Sequence, residues 1–335
     1  MDINEGKKVR PIRLLTSFFR TFRLPDFPTS RLFTTFPNQT STMYDICCIG
    51  HITSDKVVTP NTIMYMAGGT AWYFSYGLSK LDIRYLLVTS IAPAEMHYVN
   101  DLRTNGTEVN VQPSASTVYF ENIYGENQDD RTQNVLAKAD RFTIGQMQDI
   151  NARIFHLGPL LADDISIDLI KTLAAKGRVS LDVQGYLRKV ENYKVHYTDW
   201  PGKIEALQYV DILKADVAEL QALTGEKEVS EGARLVANWG VKEVVITNGS
   251  QGSVIYSGGV FYNIPAYPPK TIVDATGCGD TYMAGYLYRR IKGAGIQQSG
   301  EFAAAMAGLK TASSGAFLGT EEEVMGFLAG GKTIT

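Results

Sequence analysis

From Tyr44 onward, short β-branched runs alternate with stretches of helical period, and nothing else in the chain restricts its fold so tightly. Parallel strands cannot be joined by a tight turn; the chain returns by a crossover, most often a helix. Runs at 44–50, 84–90, 153–158, 178–183, 210–214 and 242–248 read as strands, and 69–82, 94–104, 166–176, 216–224 and 229–239 as helices. Most of these helices stop at a glycine (Gly106, Gly177, Gly225 or Gly240), where a left-handed cap costs little. The expectation is an α/β chain in three layers, α/β/α, around a mostly parallel central sheet.

Two regions depart from the alternation. Residues 107–137 hold strand-like runs at 109–111, 117–123 and 132–136 with no helix between them, and 251–273 reads as hairpins. Together with 53–65, the stretch 107–137 predicts a small β lid over a substrate site; a surface meander would show the same pattern. Closing helices are expected at 279–292 and 301–313, the second with an alanine-rich run, Glu301 to Gly308, that suits close approach of helix backbones. The folded domain is therefore expected over 43–330, with 331–335 as a tail.

With 44% hydrophobic residues, the 335-residue chain can fill a complete core. A formal charge of −3 leaves no basic footprint for nucleic acid. Three cysteines, two of them the neighbours Cys47 and Cys48, give no disulfide framework, so a reducing, cytoplasmic setting is expected. Apolar runs are strand-sized, far below the roughly 20 residues of a membrane helix. His51, His97, His156 and His196 lack the spacing of a transition-metal site. The first 42 residues stand apart: seven basic against three acidic side chains give +4, leaving −7 for residues 43–335. That segment reads as a basic, disordered or targeting leader, or as a start-site artefact with Met43 the first residue. Pro11, Pro25, Pro28 and Pro37 interrupt any long amphipathic helix within it.

Chemistry concentrates in Asp274-Ala275-Thr276-Gly277-Cys278-Gly279-Asp280, which runs straight into the helix-forming Thr281 to Leu287. Two glycines around a small residue at a loop-to-helix junction let successive backbone N–H groups converge on one anion, and the helix dipole adds partial positive charge. Asp280, in the first turn, can face the point where a transferred phosphoryl group would lie and accept a proton there. Phosphoryl transfer asks mainly for positioning, charge neutralisation and removal of the acceptor proton. A tight turn followed by a helix-start carboxylate would use the same residues.

Asp274-x-Thr276-Gly277-Cys278-Gly279-Asp280 resembles the second signature of the PfkB or ribokinase-type carbohydrate kinases. Val244 to Gly252 is similar to the strand and turn that lie along the ATP phosphates in that family, and Asp211 to Glu219 to its Asn-x-x-Glu stretch. Gly50 to Asp55 and Gly68-Gly69 resemble its substrate-side Asp and Gly-Gly hinge, so the likeness covers about 44–330. Gly50-His51-Ile52-Thr53, His156 to Pro159 and Leu181 to Arg188 resemble short inositol-kinase-like members in particular.

The resemblance implies a ribokinase-like fold and transfer of phosphoryl from ATP to an alcohol of a sugar, cyclic polyol or nucleoside. Asp280 would be the base and Gly277, Cys278 and Gly279 the anion hole. Thr247, Gly249, Gly252 and Thr276 would meet ATP, and Asp55, Gly68, Gly69, Gln184 and Arg188 the acceptor. Asp216 and Glu219 would hold Mg²⁺ through water. A monovalent cation near Ser314-Gly315-Ala316 and a homodimer paired through the lids are further implications.

Departures from the family pattern qualify these roles. Cys278 stands where Ala is usual; it reads as a small filler whose backbone N–H matters and whose sulfur does not, although a thiol at a helix N-terminus can have a lowered pKa. Asp216 stands where Asn is common, and with Glu219 it also forms a plain capping arrangement. No Asn follows the hinge in Gly68-Gly69-Thr70-Ala71-Trp72-Tyr73, which tells against ribose; Trp72 and Tyr73 are expected to face the core. Asp182 and Arg188 could be ligand contacts or a loop salt bridge. The competing functions are a nucleoside kinase of the same fold and a non-catalytic regulator, which the intact Asp280 and its flanking glycines disfavour. A dinucleotide oxidoreductase would need Gly-x-Gly-x-x-Gly after the first strand, where Gly50-His51-Ile52 stands.

Overall fold

The computed structural model describes residues 43–124 and 131–331; the leader at 1–42, residues 125–130 of the predicted lid and the end of the tail, 332–335, lie outside the described residues. The first half contains β1 (Met43–Gly50), β2 (Thr53–Val58), β3 (Ile63–Gly68), α1 (Thr70–Leu78), β4 (Tyr85–Ile91), α2 (Met96–Thr104), β5 (Glu108–Pro113), β6 (Val118–Tyr124), β7 (Arg131–Ala137) and β8 (Asn151–Gly158). There follow α3 (Ile167–Ala174), β9 (Arg178–Asp182), β10 (Arg188–Glu191), β11 (Lys194–Tyr197), α4 (Lys203–Leu207), β12 (Ile212–Asp216), α5 (Val217–Thr224) and α6 (Val229–Asn238). The chain closes with β13 (Glu243–Thr247), β14 (Ser253–Ser257), β15 (Val260–Ile264), α7 (Cys278–Ile291), α8 (Ile296–Thr311) and α9 (Glu321–Gly331).

Strand β1 shows why the layers form. Side chains alternate across a strand, so Ile46 and Cys48 join one core with α1, α2, α7, α8 and α9, while Cys47 and Ile49 join the other with α3 to α6. Both faces of the sheet must therefore be covered, as parallel sheets require. The large sheet has nine strands in the order β15-β14-β13-β12-β9-β8-β1-β4-β5. From β13 to β5 the neighbours run parallel, and β14 and β15 add an antiparallel hairpin at one edge. A second sheet of six strands, β10-β11-β7-β6-β2-β3, has its own small core in which Val118, Phe120 and Val135 pack on Leu160 and Leu161. No helix among the described residues is long and apolar enough to cross a membrane.

Three features correct the sequence reading. Residues 108–113 are not in the lid: β5 pairs in parallel with β4 at the edge of the large sheet, because α2 ahead of it serves as an ordinary crossover. The small sheet instead gains β10 and β11, whose Arg188, Lys189, Glu191 and Lys194 show no apolar pattern to betray a strand. A third closing helix, α9, follows Thr320, whose hydroxyl accepts from the Glu323 amide while its own amide donates to the Glu323 carboxylate. That capping box is the signal that would have announced it. The small residues of α8 do serve close packing, since a Cβ on Gly285 of α7 would lie 3.2 Å from Ala303 Cα.

One buried charge ties the sheet to α7. Glu243 on β13 accepts from Arg290 at 2.7 and 3.1 Å and from the Tyr286 hydroxyl at 2.6 Å, with Arg178 at 3.2 Å. Burial pushes its carboxyl up, but these donors outweigh that and leave its pKa lowered. Glu243→Ala should cost about 3 kcal/mol in urea unfolding, because it strands a guanidinium and a hydroxyl; a loss under about 1 kcal/mol would contradict that role.

Candidate active site

Strands β1, β9, β12 and β13 run parallel and end at the same edge of the large sheet, where ligand crevices form in open α/β folds. Their register sets Lys214 beside Asp182 and Asp216 beside Thr247. Lys214 Nζ lies 3.0 Å from Asp182 Oδ2 and 3.5 Å from Glu219 Oε2, and all three side chains are buried. Burial opposes the lysine's charge, yet Asp182, Glu219 and Asp280 together raise its pKa and keep it protonated. Helix α5 starts in a capping box: the Glu219 amide donates to Asp216 Oδ1 and the Asp216 amide to Glu219 Oε2, both at 2.7 Å. Gln184 Nε2 donates to the other Glu219 oxygen at 3.2 Å.

The N-terminus of α7 faces this cluster. Gly277 caps it at φ 74°, and a Cβ there would lie 2.1 Å from Tyr73 Cγ, so glycine is required twice over. The Cys278 amide is spent on Ala275 O at 3.2 Å, which removes it from the predicted anion hole. Among the described residues, the amides of Gly277, Gly279 and Asp280 donate to no backbone carbonyl. A Cβ on Gly279 would lie 3.4 Å from Lys214 Nζ, which brings the ammonium close to Gly279.

Asp280 is half-buried, and its pKa is raised to about 7. Burial is the main cause and the negative charge of Asp182 adds to it, while Lys214 and the Thr70 hydroxyl pull the other way. Thr70 opens α1 immediately after the hinge glycines. Gly69, at φ 84°, has His51 O where a Cβ would be, and Gly68 sits against Asp55 of β2, whose Oδ2 would lie 2.5 Å from an added Cβ. The Asp and the Gly-Gly pair expected on the substrate side thus lie side by side. Tyr73 is buried as expected, and its hydroxyl, with the carboxylates of Asp274, Asp55 and Asp280 for charged neighbours, has no hydrogen-bond partner among the described residues.

A cavity of about 300 Å³ adjoins the cradle, and Thr247, Gly249, Gly252, Cys278 and Gly279 all line it. Ala266, Pro268, Ile272, Ala304 and Ala307 give it an apolar lining. Thr276 is not among the lining residues; it is exposed, its amide turned onto Asp274 Oδ1 at 2.9 Å. Arg188 opens β10 of the small sheet, with Nη1 3.4 Å from Leu160 O and its guanidinium 5.9 Å from the Phe120 ring centroid. Asp182 pairs with Lys214. The carboxamide nitrogen of Gln184 braces Glu219 instead of facing the lid. No group of three His, Cys, Asp or Glu among the described residues could hold a metal, and both Glu219 oxygens already bind protein donors. Burial raises the Cys278 pKa to about 11, against the lowering that a helix N-terminus can give, and Sγ lies 3.7 Å from Ala307 O, as suits a small filler. Sequence reasoning missed Lys214, although a lysine inside the apolar run Ile212-Leu213-Lys214-Ala215 was the visible signal.

Residues 181–323 match the sequence profile of the pfkB family carbohydrate kinases. The chain carries a PfkB-family kinase domain. This kinase is 28% identical over 270 residues to a cytidine kinase of Thermococcus kodakarensis, a match spanning 76% of this chain and 92% of that one. Against a ribokinase of Arabidopsis thaliana it is 31% identical over 173 residues, half of this chain and 42% of that one. A solved pyrophosphate-dependent kinase in the ribokinase family, complexed with a pyrophosphate analog and myo-inositol, superposes with a TM-score of 0.74 at 27% identity, covering 84% of this chain and 99% of that one. The protein is a sugar or nucleoside kinase with the ribokinase-like α/β fold.

With a pKa of about 11, Cys278 should react slowly with iodoacetamide at pH 7.5 and faster by roughly tenfold per pH unit up to pH 10. Mass spectrometry of labelled peptides reads this directly. Labelling at pH 7.5 as fast as that of free cysteine would show that the thiol is activated after all.

Proposed function

We propose that the kinase transfers the terminal phosphoryl group of ATP to a hydroxyl of a sugar, cyclic polyol or nucleoside, with Asp280 as the general base. The observation that carries this reading is a carboxyl of pKa about 7 next to three open amides and a buried ammonium. A base poised near neutral pH is ionised often enough to act and basic enough to take a proton. As the acceptor oxygen bonds to phosphorus, its proton passes to Asp280, the bond from phosphorus to the bridging oxygen breaks, and ADP leaves. The Gly277, Gly279 and Asp280 amides and Lys214 would offset the charge on the phosphoryl oxygens.

Donor choice rests on the cavity. Pyrophosphate has no apolar part, whereas a purine would cover the wall of Ala266, Pro268, Ile272, Ala304 and Ala307. Mg²⁺ would arrive on the nucleotide, neutralising its phosphates, and Asp216 beside Thr247 could reach it through water. On the acceptor side the candidates are Asp55, the hinge at Gly68 and Gly69 against it, and the Tyr73 hydroxyl, which has Asp55 and Asp280 among its charged neighbours. The relatives named for cytidine and for myo-inositol define the first acceptors to try.

Asp280→Asn should lower kcat by roughly 10²-fold or more while leaving KM for ATP little changed. Wild-type kcat should rise with pH through about 7, since the carboxylate is the active form. Because the folded-state pKa lies above the unfolded one, ionising Asp280 weakens the fold as pH rises from about 4 to 7, so the Asn variant should be no less stable at pH 8. A panel of myo-inositol, cytidine, adenosine, ribose and fructose, each with ATP or pyrophosphate, tests the rest. Near-normal turnover by the Asn variant removes Asp280 from its role, a preference for pyrophosphate removes the purine slot, and no ADP with any acceptor returns the regulator reading.

A further inference from the structure

Lys310, in the last turn of α8, is fully buried and takes no part in the mechanism above. Its ammonium donates to the main-chain carbonyl of Asp274 at 2.9 Å and to Asp274 Oδ2 at 3.0 Å, and lies 5.9 Å from the centroid of the Tyr73 ring. The same turn of α8 receives the loop backbone: the Val273 and Asp274 amides reach Thr311 O at 2.7 and 3.3 Å. The other Asp274 oxygen accepts from the Thr276 amide at 2.9 Å. Gly277, where the cradle begins, rests on the Tyr73 ring. One desolvated cation therefore fixes the loop that opens the phosphate site.

A carbonyl oxygen and a carboxylate oxygen converging on a buried positive charge form the donor set that suits a hard cation. Burying an ammonium is expensive, and an apolar side chain of similar volume often serves stability as well or better. Stability alone thus gives little reason for a lysine here; its place beside the anion cradle does. We propose that Lys310 is a built-in monovalent cation. It holds residues 274–277 in the shape that leaves the cradle amides open, so the kinase needs no dissolved alkali ion at this position, and deleting the side chain creates a site that such an ion can fill. The sequence resemblance implied a monovalent cation near Ser314 to Ala316; Lys310 sits about one helical turn before them and meets that demand from within the chain. The proposal rests on the kinase reading for its activity assay alone.

The test compares wild type, Lys310→Ala and Lys310→Met in tetramethylammonium, sodium, potassium and ammonium chlorides at one ionic strength. Turnover with ATP is measured alongside hydrogen exchange at amides 275–279. Wild type should be indifferent to the salt. Lys310→Ala should be slower by roughly 10²-fold in tetramethylammonium, with faster exchange at those amides, and potassium or ammonium should restore roughly tenfold of the rate and slow the exchange. Lys310→Met, which fills the space without charge, should show the faster exchange and no response to any cation. Potassium activation of wild type, a folded Lys310→Ala that no cation rescues, or unchanged exchange in Lys310→Met would each overturn the proposal. Absence of wild-type turnover would count against the kinase reading alone, because exchange at the loop reports on Lys310 without it.

Discussion

The site depends on one buried ammonium. Lys214 stands between Asp182 and Glu219 with the cradle glycine Gly279 against it and Asp280 within its field. Without that charge, three carboxylates would crowd a water-poor pocket at which a polyanion must also arrive, and mutual repulsion with desolvation would push protons onto them. With it, the carboxylates can cluster at the strand ends while Asp280 keeps a pKa near neutrality. The cause lies in the sheet: parallel pairing of β9 with β12 puts Asp182 and Lys214 in register, and the capping box at the start of α5 turns Glu219 back onto them.

Around that point the fold joins two kinds of rigidity. The large sheet and its helices carry the proposed donor side, while the small sheet carries Asp55 to the hinge glycines, the proposed acceptor side. The first helix links the two, since Gly69 meets the backbone of His51, Thr70 touches Asp280, and Tyr73 seats Gly277. Substitution at any of these glycines would shift Asp55 and the start of α7 relative to each other, a separation that the proposed phosphoryl transfer would tolerate least.

Much of this was legible in the sequence, for physical reasons. Crossover helices need length and period, so β1, β4, β8, β9, β12 and β13 and the helices between them stood out, and the cradle motif declared both its glycines and its carboxylate. Strand β5 misled because a short alternating run looks the same in a lid as at a sheet edge, and β10 and β11 were hidden by their charged residues. The site charges were least visible. A lysine's role depends on which carboxylates the register brings to it, so neither Lys214 nor Lys310 could be read from spacing. At Cys278 helix position and burial pull the thiol pKa in opposite directions, and burial decides.

The central claim is that this environment holds the Asp280 carboxyl at a pKa near neutrality without help from substrate. A ¹³C NMR titration of the enzyme labelled at aspartate carboxyl carbons, with the Asp280 signal assigned by its loss in Asp280→Asn, measures it directly. The account predicts a midpoint of about 7; a midpoint near the ordinary aspartate value of about 4 would contradict it.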